Sequence, residues 1–94
     1  MIMTLEELKN YAKIDYDDED DVLMTLIEES QAAAEDYCRV SFDGYAPLPV
    51  VTACRLWILH YHENRENPDQ VAYRAMRRAW ESLLYPYRAP ELMF

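Results

Sequence analysis

A run of carboxylates, Asp15, Asp17, Asp18, Glu19, Asp20 and Asp21, is the first place in this chain where chemistry could reside. Its Asp-x-Asp-x-Glu opening resembles an EF-hand calcium loop. Counted from Asp15, however, the sixth position needs glycine and holds Asp20, and the twelfth needs a bidentate glutamate and holds Leu26. The simpler reading is a helix N-terminus, whose partial positive charge favours acids. His60-Tyr61-His62-Glu63 carries metal-ligating and acid–base side chains, but residues two apart on a helix point about 200° apart. Neither histidine has a second His or Cys four residues away. Ser30, Ser41 and Ser82 lack the glycine elbow of a nucleophilic serine. A phosphate-cradling loop is excluded by the single glycine, Gly44. Cys38 and Cys54 form no CxxC and read as reduced, buried thiols. No enzymatic activity, metal or organic cofactor is expected.

The elements that must position these residues are helical. With one glycine and 51% hydrophobic residues in 94, a many-turned β-sandwich or barrel is disfavoured and a single all-α domain over residues 1–94 is expected. Thr4-Leu5-Glu6-Glu7 is a capping box opening a short helix to about Lys13, with Leu5, Leu8 and Ala12 inward. Asp17 is placed to cap the next helix. Leu23, Leu26, Ile27, Ser30, Ala33, Ala34 and Tyr37 then recur at three- and four-residue steps and predict a long amphipathic helix. Val40 to Ala46 reads as a loop.

Pro47 and Pro49 suit a helix start, and the third helix should reach about Glu66. Arg55 is the only formal charge between 48 and 62, so this helix is too apolar for a surface position. Trp57 is expected inside the subunit, with part of Leu56 and Leu59 against another element. Asn67-Pro68-Asp69-Gln70 restarts a helix with Ala72, Ala75, Met76, Ala79 and Leu83 inward, until Pro86 stops it. The result is a small bundle of about four helices with an extended C-terminal arm, residues 87–94.

The net charge of −9 is unevenly placed: residues 1–36 carry net −10 and residues 37–94 net +1, with every base of the second part an arginine. An acidic chain repels a phosphate backbone, so generic nucleic-acid binding is not expected. No stretch approaches the ~18 apolar residues of a membrane span, and no membrane partner is expected. A core this small is marginal by itself, and self-association is the expected support. The two charge halves suggest head-to-tail contacts between copies, with Asp17, Asp18, Asp20 and Asp21 meeting Arg74, Arg77 or Arg78 of a neighbour.

Several segments taken together resemble one family. They are Met3-Thr4-Leu5-Glu6-Glu7-Leu8-Lys9, Ile14-Asp15-Tyr16-Asp17-Asp18-Glu19-Asp20, the helix end Ala34-Glu35-Asp36-Tyr37, and Pro49-Val50-Val51 leading to Leu59-His60-Tyr61-His62-Glu63-Asn64-Arg65-Glu66. With the closing Leu83-Leu84-Tyr85-Pro86-Tyr87-Arg88, they are similar to the head-tail connector (adaptor) family of tailed bacteriophages, typified by the HK97 adaptor and also described as DNA-packaging proteins. Residues 68–80 depart from the pattern, offering a cap and an Arg-bearing helix where relatives carry a looser polar segment.

The resemblance implies a structural virion protein at the head-tail junction of a phage or prophage, made in the host cytoplasm. It implies a homo-oligomeric ring, twelvefold in the virion, that attaches to the portal protein and receives the next tail-completion protein. DNA would pass through its channel without specific binding. The subunit-interface candidates are Asp17, Asp18, Asp20, Asp21, Arg74, Arg77, Arg78, Leu56 and Leu59. Portal docking would fall to the arm: Tyr87, Arg88, Leu92, Met93 and Phe94. The competing reading is an acidic regulatory module, a DNA mimic or antitoxin-like inhibitor, using Asp17–Asp21 with Glu28 and Glu29.

Overall fold

The first helix, α1 (Leu5–Ala12), forms where its capping box is satisfied in both directions. Thr4 Oγ1 accepts from the Glu7 amide at 3.1 Å and Glu7 Oε1 accepts from the Thr4 amide at 2.9 Å. It ends at Lys13, whose left-handed φ of 58° turns the chain so that the Ile14 amide reaches back to the Lys9 carbonyl at 2.9 Å. The computed structural model describes residues 2–42 and 46–89. Among them the regular structure is four α-helices and a 3-10 turn, as the residue pattern predicts, and no strand.

Helix α2 (Asp20–Cys38) buries Leu23, Ile27, Ser30, Ala34 and Cys38, a stripe at three- and four-residue spacing. The predicted cap at Asp17 is not made. Lys9 Nζ takes the Asp17 carboxylate at 2.7 Å, and the helix starts three residues later with no side-chain cap. Ser30, the one buried polar residue among those described, donates to the Ile27 carbonyl at 2.8 Å and so costs the core no unpaired hydroxyl.

Helix α3 (Leu48–Glu63) starts on Pro47, whose carbonyl accepts from the Val50 and Val51 amides. It buries Val50, Ala53, Cys54 and Ile58, and it is antiparallel to α2, the Cys54 thiol lying 3.7 Å from the Ser30 carbonyl. The helix stops at Glu63 rather than Glu66, because the Asn64 side chain donates to the His60 carbonyl at 2.9 Å and ends the ladder.

Helix α4 (Gln70–Leu84) is regular throughout. Asp69 caps it, accepting from the Val71 and Ala72 amides at 2.9 and 3.1 Å. Its buried residues are Met76, Trp80 and Leu84, which corrects the expected stripe. Ala75 and Ala79 face outward. Trp80, 1% exposed, packs against the Tyr37 ring at 5.0 Å, and burying an indole removes far more apolar area from water than burying two alanines does. Trp57 is the complementary correction: it is half-buried at the edge of α3, and the buried tryptophan is Trp80.

Helix α3 packs against both neighbours, α2 and α4, while α1 lies on α2 and is pinned to α3 by the Arg55 guanidinium, 4.6 Å from the Tyr11 ring centroid. At the 3-10 turn Tyr85–Tyr87 and just after it, the described start of the expected arm, residues 87–89, contacts the subunit. Tyr87 packs on the core, Arg88 Nε donates to the Tyr37 carbonyl at 3.0 Å, and the Ala89 amide donates to the Cys38 carbonyl at 2.7 Å. Leu92, Met93 and Phe94 lie outside the described residues.

Candidate interaction surface

A groove of about 510 Å³ lies between the N-terminal half of α2 and the C-terminal half of α3. Val22, Leu26 and Glu29 form one wall, and Trp57, Tyr61 and Arg65 the other. The Trp57 and Tyr61 rings lie 4.4 Å apart, one helical turn from each other, and give the floor a continuous aromatic surface. Val22 is 39% and Tyr61 36% exposed, so the groove is apolar and uncovered. Asp21 and Thr25 continue its α2 wall in an adjoining shallow depression. No α4 residue lines it.

The end of the groove is fixed by a charged cluster that the linear sequence conceals. Glu19 accepts from Tyr16 Oη at 3.1 Å, lies 3.0 Å from His62 Nε2, and pairs with the Arg65 guanidinium. Glu19 and His62 side chains are each 17% exposed. The hydrogen bond with His62 is the largest influence on the Glu19 carboxyl and holds it below the ordinary carboxylate value; partial burial opposes it, and Tyr16 and Arg65 reinforce it. The cluster joins the loop before α2 to the end of α3 and orients Arg65 at the groove mouth.

Beside it, Lys9 Nζ bridges Asp17 at 2.7 Å and Asp20 at 2.8 Å. These two hydrogen bonds raise the Lys9 pKa, and the lysine in turn lowers that of Asp17. Two of the four acids expected to meet a neighbour are therefore engaged within the chain. Asp18 and Asp21 are exposed. On the basic side, Arg77 Nε holds Glu81 at 3.0 Å and its guanidinium lies 4.5 Å over Trp80. Arg74 and Arg78 stand outward. The structure does not bring the acidic set and the arginines of α4 together within one subunit. Leu56 and Tyr87 pack on the core edge, Leu59 is half-buried, and Arg88 sits at the α2 C-terminus.

The outward face of α4 is a second surface. Val71, Arg74, Ala75, Arg78, Ala79, Ser82 and Tyr85 are all exposed and recur at three- and four-residue spacing, with Val71 at 75%. This is a rail of small and apolar residues flanked by two arginines.

The two histidines diverge as their spacing requires. His62 meets Glu19, whereas His60 stands edge-on to Tyr61 at 5.0 Å and near Tyr73, in a cleft of about 340 Å³ at the α3–α4 turn. Among the described residues no three His, Cys, Asp or Glu side chains are grouped to hold a metal ion. Both cysteines are free and buried, and burial pushes the Cys54 thiol up to about 12.

A family model described as phage gp6-like head-tail connector protein matches residues 2–88. No curated protein and no solved structure matches the chain.

Proposed function

Because the chain belongs to the phage gp6-like head-tail connector family, whose role in the virion is structural, we propose that it is a ring subunit seated on the portal protein. In that position it extends the DNA channel and presents the platform for the next tail-completion protein. The observation that carries this reading is the uncovered aromatic groove between α2 and α3: a small soluble domain that leaves Trp57 and Tyr61 at its surface has a protein surface to bury them against. The exposed face of α2 away from the groove, with Glu28 and Asp36, suits a wall past which DNA slides without being gripped. The proposed ring is twelvefold in the virion, on the family resemblance alone.

The acidic-mimic reading receives less support, because two carboxylates of its acidic run, Asp17 and Asp20, are held by Lys9. Among the described residues no helix is long and apolar enough to cross a membrane.

The test is a complementation experiment in the phage or prophage that encodes the chain. Deleting the gene should yield DNA-containing heads and separate tails, and adding the purified protein should allow them to join. Normal tailed particles from the deletion would refute the proposal.

A further inference from the structure

We propose that the ring seam is formed by the outward rail of α4 from one copy seated in the α2–α3 groove of the next. The inference rests on the ring reading above and names its interface. Three observations point to a second copy as the occupant. The groove is apolar and uncovered along Val22, Leu26, Trp57 and Tyr61, with a volume of about 510 Å³, on the scale of one helix ridge. The rail has a matching shape: Val71, Ala75 and Ala79 recur every four residues, and a ridge of small side chains lets a helix approach closely, as the i, i+4 pair Val22 and Leu26 on the facing wall requires. The charges are complementary as well. The α2 wall carries Asp21 and Glu29, whereas Arg74 and Arg78 flank the rail, and all four side chains are exposed.

Groove and rail are different surfaces of the subunit, so the contact is heterologous. Each copy offers one half to each neighbour, and repetition of such a contact closes a ring when the rotation per subunit allows it. Apolar burial supplies the affinity, and the two charge pairs fix which way the rail lies in the groove. The seam differs from a contact built on the whole acidic run, since Lys9 has already taken Asp17 and Asp20 and Glu81 has taken Arg77.

Sedimentation velocity on the full chain, from micromolar to millimolar subunit concentration, tests this. The wild type should associate with increasing concentration. Arg74→Glu with Arg78→Glu should weaken association about tenfold or more, as should Asp21→Lys with Glu29→Lys, while helicity and melting temperature stay unchanged. Combining all four substitutions in one chain should restore association, because the reversed rail again meets a groove of opposite charge. Ala75→Trp, which adds bulk on the rail without altering charge, should block association independently. Unchanged association in the reversals, or no recovery in the fourfold variant, overturns the seam while an assembling wild type leaves the ring reading standing. A wild type that remains monomeric at millimolar concentration overturns the ring reading and the seam with it.

Discussion

Replacing Trp80 by alanine should unfold most of this protein, whereas the same change at Trp57 should leave it folded. Trp80 is 1% exposed and lies against Tyr37 at 5.0 Å and under the Arg77 guanidinium at 4.5 Å. A buried indole removes roughly 200 Å² from water, worth about 5 kcal/mol at ~25 cal/mol per Å². Partial collapse of the cavity brings the expected cost to about 3–5 kcal/mol. For a domain of this size that corresponds to a fall in melting temperature of roughly 15–30 °C. Trp57, half-buried on the groove floor, should cost only about 1–2 kcal/mol. Trp80→Phe should be mild, near 1–2 kcal/mol, because the indole Nε1 has no acceptor among the described residues and no hydrogen bond is lost with it. Urea unfolding followed by far-UV circular dichroism at low micromolar concentration gives all three values. Acrylamide quenching provides a second readout, since fluorescence of the Trp57→Phe protein should come from a shielded indole. A Trp80→Ala variant within 1 kcal/mol of wild type, or one more stable than Trp57→Ala, would refute the packing argument.

Three other outcomes are expected. The Glu19 carboxyl is held below its ordinary value of 4.5 by His62, so the stability it contributes is complete above the ordinary carboxylate range and is lost as pH falls through the lowered value. Glu19→Gln should therefore flatten the acid limb of the stability curve, and an unaltered limb would contradict the cluster. The Cys54 thiol, raised to about 12, stays neutral in the folded chain while an unfolded thiol ionises near 9, so stability should fall as pH rises across that interval. At neutral pH a thiol reagent should modify Cys54 only at the rate of unfolding, and rapid modification of the folded protein would show that the site opens locally. Removing residues 87–94 should lower the melting temperature by several degrees, because Tyr87 packs on the core and Arg88 and Ala89 donate to carbonyls at the end of α2. A melting temperature unchanged by this truncation would mean that these contacts contribute no stability.

The capping box of α1 and the core stripe of α2 were legible in the residues because both depend on neighbours within one or two turns. Helix α4 shows where such reading stops. Its residues offer two stripes, Val71-Ala75-Ala79 and Met76-Trp80-Leu84, and local periodicity favours neither over the other. The decision is made by Tyr37 and the end of α2, more than thirty residues away in the chain. The Asp17 cap failed for a related reason: Lys9, at the far side of a turn, competes for the same carboxylate and wins with a charge-assisted bond. The Glu19–His62–Arg65 cluster joins groups 43 residues or more apart and needs the antiparallel pairing of α2 and α3 before it exists. A glutamate before one helix and a basic pair at the end of the next were the available signal.

For the proposed ring, the placement of α3 between its two neighbours in sequence also sets the order of events during assembly. Contacts between successive antiparallel helices are short in sequence separation, and helical domains built this way fold in microseconds to milliseconds. Two micromolar subunits that meet at a typical 10⁵–10⁷ M⁻¹s⁻¹ need about 0.1–10 s to associate. Each copy therefore completes its interior long before it encounters another. Subunit supply and collision, rather than refolding on the growing structure, then govern how fast assembly proceeds. A variant that folds normally but carries only one sound half of the proposed seam would add to a growing arc of the proposed ring and terminate it, so a minor fraction of such chains would suppress closure out of proportion to their number.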